Sequence, residues 1–268
     1  MTESPTETDG GGVPPFPETA DIETSNDDYA TRFRGKVGAW MLGMQERGVL
    51  KLLAGAAPAG ASVLDVGGGH GQLAEPLCRE GYRVHVIGSA PSCRHRIQGL
   101  VDSGACTFEV GNVIALPCPD RSFDAVVAVR MLTHCERWER LVAEMCRVSR
   151  GPVITDYPTG QSLNAAAPAL FNAKKKYEKN TRTWRLFRHE EVRRAFAQVG
   201  FEETGRFAQF FLPMVVHRVL KCRALSAAME GLCRALGLTR LWGTPVIVRM
   251  ARASNDLSED NHEQETVK

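Results

Sequence analysis

Long apolar segments are missing from this chain of 268 residues. No apolar run approaches the roughly 20 residues that a membrane-spanning helix needs. The first residues are acidic and proline-rich, whereas a secretory signal starts with basic residues followed by an apolar core. We therefore expect a cytoplasmic protein whose contact with membranes, if it has any, is peripheral.

Patterns typical of metal sites and disulfides are missing as well. The chain contains eight cysteines, but no two are spaced as Cys-x-x-Cys, and none lies at a zinc-finger interval from a histidine. Because no export signal is evident, the thiols are expected to be free and mostly buried. We predict no metal site.

Basic residues are absent from positions 1–28, which contain eight acidic residues, and the last 16 positions contain five acidic residues and one lysine. We predict that residues 1–27 and 253–268 are disordered acidic tails, because little in them could be buried. The rest of the chain has 32 basic and 18 acidic residues. This excess is either a solvated surface or an attraction for an anionic substrate, RNA or lipid headgroups.

Between the tails, short apolar strands alternate with amphipathic helices. Strands are predicted over residues 62–66, 82–87, 107–110, 123–129 and 152–156, and the strongest helical period covers residues 138–148. This alternation predicts an α/β fold with a doubly wound, Rossmann-like, mostly parallel sheet. Two further strands, over residues 203–212 and 245–251, bring the total to seven, and the last is expected to be antiparallel.

The domain is expected to span residues 28–252 and to carry a helical cap over residues 158–186. Three consecutive basic residues stand in the cap, namely Lys174, Lys175 and Lys176. They are either a solvated face or a contact with an anionic substrate or a membrane surface.

A helical insertion is expected over residues 215–237. Its apolar positions Leu225, Met229, Leu232 and Leu236 recur at helical spacing and form one stripe. A hydrophobic or membrane-associated ligand would explain this stripe, but packing against the core explains it better.

The first strand ends in the pattern Asp-x-Gly-x-Gly-x-Gly. The residues are Asp65, Gly67, Gly68, Gly69 and Gly71. Glycines let the backbone approach a ligand, and the helix that follows points free N–H groups back at the turn. Nicotinamide and flavin sites favour Gly-x-Gly-x-x-Gly, and Gln72 stands where the third glycine would be. No Gly-Lys-Ser/Thr follows, which excludes a P-loop.

This turn resembles the first motif of the class I S-adenosylmethionine-dependent methyltransferases. Residues 111–124, 130–134 and 144–148 also resemble this family, especially its UbiE-like small-molecule branch. The resemblance covers about residues 29–251. It implies methyl transfer from S-adenosylmethionine to a small-molecule or lipid-like acceptor, and it is nearly silent on which acceptor.

The resemblance also implies roles for individual residues. The turn glycines would admit the methionine and ribose parts of the cofactor, and Asp65 would hold the turn or the α-amino group. Asn112 and the Val113 backbone N–H would meet the adenine. Arg130 would line the pocket beside the sulfonium.

One feature of the family is missing: a carboxylate at the end of strand two, where this chain has Gly88, Ser89 and Ala90. Ser89 would make one hydrogen bond where a carboxylate makes two charge-assisted ones. A non-catalytic cofactor-binding relative with a regulatory or scaffold role is therefore an alternative. An RNA methyltransferase and a dinucleotide oxidoreductase are weaker ones. No appended RNA module is evident, so no stable nucleic-acid complex is expected.

Methyl transfer depends mainly on alignment of the nucleophile, and a base is needed only when the nucleophile must lose a proton. His134, after strand four, is the first candidate for this base, although capping the following helix or binding to the backbone explains it better. Asp156 and Tyr157, after strand five, are the next candidates. His70 lies inside the glycine turn and is expected to position it.

Overall fold

The structure is a computed structural model, and it describes residues 16–162 and 184–253. A seven-stranded sheet runs through it in the order β3-β2-β1-β4-β5-β7-β6. The strands are β1 Ser62–Val66, β2 Arg83–Gly88, β3 Cys106–Val110, β4 Ala125–Ala128, β5 Val153–Tyr157, β6 Phe201–Phe210 and β7 Thr244–Arg252. Strands β1 to β5 are parallel, and β7 pairs antiparallel with both β5 and β6. The predicted sheet, with its antiparallel last strand, is confirmed.

Helices connect and cover the strands. The α-helices are α1 Ala20–Thr24, α2 Asp27–Thr31, α3 Gly35–Ala54, α4 Ala74–Arg79, α5 Gln98–Asp102, α6 Trp138–Val148, α7 His189–Ala197, α8 Met214–Leu220, α9 Arg223–Ala235 and α10 Leu238–Trp242. Three 3-10 segments cover Gly68–His70, Pro91–Ile97 and Leu132–His134. Within the two described ranges, no helix combines the length and the apolarity that crossing a membrane would require.

Apolar side chains pack on both faces of the sheet. On one face α6 contributes Trp138, Leu141 and Met145, which recur at helical spacing. On the other face α3 contributes Val49 and Leu53. Strands β1, β4 and β5 are therefore covered from both sides, which explains why their sequences are almost continuously apolar.

The predicted bounds of β1 and α6 agree with the structure residue for residue. Strand β4 is shorter than predicted. Phe123 makes only an isolated bridge with Ser149, and the Asp124 carboxylate accepts a hydrogen bond from the backbone N–H of Ser62 at 2.8 Å. The residues before β4 thus contact their neighbours through a bridge and a side-chain hydrogen bond rather than through a ladder.

The predicted disorder of residues 1–27 is wrong for its last part. Residues 20–24 form α1, and Glu18 and Asp21 are buried. Each of these carboxylates accepts two hydrogen bonds from N–H or O–H donors, which offset the cost of taking a charge out of water. The folded domain therefore starts before residue 28.

The helical insertion predicted over residues 215–237 is present as α8, α9 and α10, and it extends to Trp242. The expectation that its apolar stripe packs into the core is wrong, because Leu225, Leu232 and Leu236 are exposed. Packing against α3 and β6 uses the other faces of these helices.

Some predictions fall on residues outside the described ranges. They are residues 1–15 of the first predicted tail, the lysine run at 174–176, the second tail from residue 254 onward and most of the predicted cap, namely residues 163–183. The described flanks of the cap, residues 158–162 and 184–186, form no helix. Thr159 and Phe187 join these flanks through a parallel bridge.

Candidate functional site

The sheet order reverses between β1 and β4, and in doubly wound sheets ligands bind at such a reversal, beyond the carboxyl ends of the strands. The residues predicted from the sequence follow these strand ends. They are Asp65 and the turn glycines on β1, Ser89 after β2, Asn112 and Val113 after β3, Arg130 and His134 after β4, and Asp156 and Tyr157 at the end of β5. The fold thus brings them to one edge of the sheet.

The turn after β1 requires glycine for conformation and for space. Gly67 and Gly71 have φ angles of +70° and +73°, in the region that side chains with a Cβ rarely adopt. A Cβ built on Gly67 would collide with the Sδ of Met131, and one on Gly68 would collide with the Asp65 carboxylate. The turn therefore closes tightly over the end of β1.

Asp65 is buried under this turn, and its Oδ2 atom has no hydrogen-bond partner. Burial raises the pKa of the Asp65 carboxyl to about 7, and the positive charge of Arg130 opposes that rise. A buried carboxylate oxygen without a donor is costly. An ammonium group placed beside it would supply the missing donor, so the residue fits the α-amino group of an amino-acid ligand.

Arg130 links several parts of the site. Its φ of +62° is unusual for a residue other than glycine, and its backbone N–H donates to Asp156 Oδ1 at 2.5 Å. Its guanidinium donates to Gln72 Oε1 and lies 5.2 Å from the centre of the Phe33 ring. The Nη1 atom is buried without a partner. A strained backbone conformation and a buried polar atom without a hydrogen-bond partner are both typical of ligand sites.

Asp156 holds the backbone at Arg130. Its second oxygen accepts a hydrogen bond from Gln45 Nε2 at 2.6 Å. Burial raises the pKa of this carboxyl to about 6, while the hydrogen bonds oppose the rise. Because both oxygens are engaged by protein donors and the side chain is buried, the geometry supports a positioning role better than that of a base.

Residues 18–25 cross the carboxyl ends of several strands, and we name them the N-terminal strap. At one end, the Glu18 carboxylate accepts hydrogen bonds from the backbone N–H groups of Glu136 and Arg137, at 3.2 and 3.0 Å. These groups lie at the N-terminal end of α6. Backbone N–H groups at such an end have no acceptor within the helix, and they favour a negative charge. The strap is thereby anchored on the β4 side of the crevice.

The other end of the strap packs on the glycine turn. Ser25 Oγ and Cys93 occupy the space that a side chain at Gly69 would fill. His70 Nδ1 lies 2.9 Å from the Thr24 carbonyl oxygen, so that nitrogen carries the proton. Burial, assisted by the charge of Arg130, lowers the His70 pKa to about 3. The ring is therefore neutral, and it positions the turn as expected.

The strap brings a carboxylate to the end of β2. Asp21 Oδ2 accepts a hydrogen bond from the backbone N–H of Ser89 at 2.6 Å, and Oδ1 accepts one from the Ser89 hydroxyl. Cys93 Sγ also contacts Oδ2 at 3.3 Å. A residue 68 positions earlier in the chain thus places its carboxylate at the end of β2, where the local sequence has none.

The loop after β3 is held by the side chain of Asn112 and by a backbone hydrogen bond to the end of β2. Asn112 Oδ1 accepts a hydrogen bond from the Ile114 N–H at 3.2 Å, and Gly111 N–H donates to the Gly88 carbonyl at 2.9 Å. The Val113 side chain is buried in the core. Asn112 is half-buried, and its amide oxygen keeps a second lone pair that could accept a hydrogen bond.

The two remaining candidates for a base, His134 and Tyr157, differ in how deeply their side chains are buried. His134 ends the 3-10 segment after β4 and is half-buried. Tyr157 is fully buried, and its hydroxyl lies 3.0 Å from His189 Nδ1. Burial strongly raises the Tyr157 pKa. A buried phenol that ionises this reluctantly does not suit a base, so the geometry favours His134.

Sequence reasoning missed four side chains that shape this edge. They are Asp21, Tyr29, Phe33 and Gln45. Asp21 lies in a helix of five residues, too short for a periodic signal. The local signal that could have located Tyr29 and Phe33 was Asn26, a favoured N-cap residue. Its side chain accepts a hydrogen bond from the Tyr29 N–H at 2.8 Å. It marks where α2 begins and brings Tyr29 and Phe33 near Arg130.

Comparisons with known proteins agree with this geometry. Residues 64–151 match the model of a family described as "Methyltransferase domain". A ubiquinone biosynthesis O-methyltransferase of Rhizobium etli is 30% identical over 175 residues, covering 58% of this chain and 65% of the relative. The chain thus spans less than two thirds of that relative's length.

Solved structures share the fold. A magnesium protoporphyrin IX methyltransferase from Synechocystis with bound S-adenosylhomocysteine has a TM-score of 0.58 at 15% identity, covering 84% of this chain and 94% of that chain. A second similar structure is a chain from the complex of the Haloferax volcanii Trm112 methyltransferase activator with a methyltransferase. Its TM-score is 0.59 at 17% identity, and the match covers 87% of this chain and 97% of that chain. The domain match thus identifies residues 64–151 as a methyltransferase domain, and the chain as a whole shares the fold of these solved structures.

Proposed function

We propose that the protein transfers the methyl group of S-adenosylmethionine to a small-molecule or lipid-like acceptor. The observation that carries this proposal is the buried Asp65 carboxylate, whose Oδ2 atom has no partner beside the glycine turn. Asp65 would hold the α-amino group of the cofactor, and the turn would admit its methionine and ribose parts. Asn112 and Val113 would meet the adenine.

The cofactor would supply a methyl group on a sulfonium, which is already a strong electrophile. The protein's part is then to align the acceptor and exclude water. Arg130, held by Asp156 and Gln72, and the rings of Tyr29 and Phe33 would close the pocket. If the acceptor is a hydroxyl, His134 would accept its proton.

We further propose that Asp21 replaces the carboxylate missing from strand two. Its oxygens each accept one strong hydrogen bond from Ser89, and a carboxylate offers about four lone-pair positions. It can therefore also accept hydrogen bonds from ribose hydroxyls. This supports turnover over the alternative of a non-catalytic relative, which depended on that missing group.

The acceptor class is supported by the ubiquinone biosynthesis O-methyltransferase of Rhizobium etli, at 30% identity. Its name indicates transfer to oxygen, and we propose the same for this chain. Exposed apolar side chains on α8, α9 and α10 lie on the same edge of the sheet as the crevice, which supports a lipid-like acceptor.

Calorimetric titration with S-adenosylhomocysteine and, separately, with NAD tests the cofactor. We expect binding of S-adenosylhomocysteine alone, weakened at least tenfold by Asp65→Ala. The matched control is Asp102→Ala, an exposed carboxylate at the end of α5. Binding of NAD in place of S-adenosylhomocysteine would favour the dinucleotide oxidoreductase.

Transfer itself needs a second measurement. Incubation with radiolabelled S-adenosylmethionine and pools of phenols, lipid extracts or RNA should label the phenol or lipid pool. His134→Ala should lower the rate without weakening S-adenosylhomocysteine binding. Tight cofactor binding with no label in any pool would point to the non-catalytic relative, and label in RNA alone would contradict the proposed acceptor.

A further inference from the structure

The helices that follow β6 expose an unusual number of apolar side chains. Nine large apolar residues are exposed in the described chain, and seven of them lie between residues 214 and 242, with exposed fractions of 43–73%. They are Val215, Val219, Leu225, Leu232, Leu236, Leu241 and Trp242. We name this surface the α8–α10 face. Soluble proteins rarely concentrate exposed apolar side chains in this way unless the surface binds something.

The polarity of α9 is inverted relative to a core-facing helix. Leu225, Leu232 and Leu236 share the exposed side, whereas Ser226 and Glu230 are buried. The mean directions of these two sets differ by about one third of a turn, because each residue advances the helix by about 100°. The helix therefore turns its apolar side toward solvent.

Buried hydrogen bonds hold the helix in this orientation. The Glu230 carboxylate accepts hydrogen bonds from the backbone N–H groups of Phe211 and Leu212, both at 2.9 Å. It also lies 3.0 Å from His217 Nε2. Rotating α9 to bury the leucines would leave these donors and the carboxylate without partners, which is costly inside a protein. The exposure of the leucines is thus built into the fold.

The charges on this face have one sign. Residues 214–242 contain five Arg or Lys residues and a single acidic residue, the buried Glu230. Lys221, Arg223 and Arg240 are exposed. A helical segment that exposes apolar side chains, a tryptophan and basic residues but no acidic residue has the composition of helices that lie in the interface of an anionic bilayer.

The face lies on the same edge of the sheet as the crevice. Strand β6 pairs antiparallel with β7, which pairs antiparallel with β5, so β5 and β6 end at the same edge, and α8 begins there. The Arg218 guanidinium of α8 lies 6.0 Å from the centre of the Phe33 ring, which also faces Arg130.

We propose that the α8–α10 face docks on an anionic lipid bilayer. The leucine, valine and tryptophan side chains enter the boundary between headgroups and acyl chains, and the arginine and lysine side chains contact lipid phosphates. Docking in this way turns the crevice toward the membrane. The inference does not depend on methyl transfer, because it concerns a surface outside the cofactor site.

A second copy of the chain fits this face less well than a bilayer does. Pairing two α8–α10 faces would bring together the exposed Lys221, Arg223 and Arg240 of each copy, with no exposed acidic residue in either segment to offset them. Like charges facing each other across an interface oppose association. Anionic lipid supplies the complementary charge.

Flotation of the full chain with vesicles tests the proposal. We expect binding to vesicles of phosphatidylcholine mixed with phosphatidylglycerol, weaker binding to phosphatidylcholine alone, and a loss of binding at high salt. Leu232→Glu with Leu236→Glu should weaken binding at least tenfold. The matched control Val110→Glu, on the edge strand β3, should not weaken it.

A charge-reversal pair separates electrostatics from apolar contact. Lys221→Glu with Arg223→Glu should abolish the preference for phosphatidylglycerol, whereas Arg83→Glu, exposed at the start of β2, should leave it unchanged. Calorimetry with S-adenosylhomocysteine confirms that each variant is folded. No flotation of the wild type would overturn the proposal. So would leucine variants that change the oligomeric state in sedimentation without changing vesicle binding.

Discussion

The N-terminal strap and the α8–α10 face each lie in the opposite environment to the one that their composition predicts. The strap is acidic, yet Glu18 and Asp21 are buried. The helices are apolar, yet their leucines face solvent. The difference lies in the available partners: backbone N–H groups before α6 and after β2 receive the carboxylates of the strap, whereas the core beneath α9 receives Glu230. Burial follows hydrogen-bond partners here more closely than it follows hydropathy.

The largest effect is expected at Glu230. Glu230→Ala leaves two partly buried backbone N–H groups and the buried His217 without their acceptor, and it should lower the free energy of unfolding by about 4 kcal/mol. Urea unfolding measures this loss. Glu230→Gln keeps one acceptor oxygen and should cost less. A loss below about 1 kcal/mol for the alanine variant would mean that hydrogen bonds do not fix the orientation of α9.

The acidic strap should respond in the same way at Asp21. Asp21→Ala removes the acceptor of the buried Ser89 N–H and hydroxyl, and it should lower the free energy of unfolding by about 2 kcal/mol. If Asp21 also binds the ribose, the variant should weaken S-adenosylhomocysteine binding about tenfold or more.

The control for Asp21 is Asp28→Ala, an exposed carboxylate in α2, which should change neither quantity. An analogue of S-adenosylhomocysteine without ribose hydroxyls separates the two roles of Asp21, because its affinity should be the same for wild type and variant. Tighter binding of S-adenosylhomocysteine to Asp21→Ala would mean that the strap obstructs the crevice rather than completes it.

Much of the fold was predictable because apolar periodicity reports on covered sheet faces and on α6. The turn at Asp65 was also predictable, since its glycines are required by φ angles and by close packing. Asp21 was not, because its partner Ser89 is 68 positions away and nothing local distinguishes it from a solvated acid. The outward orientation of Leu232 was not predictable either, because it depends on hydrogen bonds between Glu230 and the distant backbone after β6.

Asp65 provides a contrast to Asp21, since it is buried without a partner for Oδ2. Its pKa is raised to about 7 by burial, above the ordinary value of about 3.9, so ionisation costs stability as the pH rises from about 4 to about 7. A cationic amino group would favour the ionised form. At pH 6, binding of S-adenosylhomocysteine should therefore release about 0.9 proton.

Calorimetry in buffers of different ionisation enthalpy measures this proton. Affinity should fall about tenfold, or 1.4 kcal/mol, for each pH unit below 7. Asp65→Asn should remove both the proton release and the pH dependence. A wild-type affinity that stays constant between about pH 5 and about pH 7 would place the amino group away from Asp65.

The smallest effect is expected where hydropathy alone would predict a large one. Leu232→Ala on the α8–α10 face should change the free energy of unfolding by no more than about 0.5 kcal/mol, because the side chain is already in water. Leu141→Ala on α6 removes the same atoms from a fully buried position and should cost about 2–5 kcal/mol. Equal losses at the two sites, in the same urea titration, would mean that Leu232 is covered in solution by another part of the chain or by a second copy. A small loss at Leu232 together with weaker vesicle binding would instead separate the two functions of leucine in this molecule: at residue 141 it stabilises the fold, and at residue 232 it binds lipid.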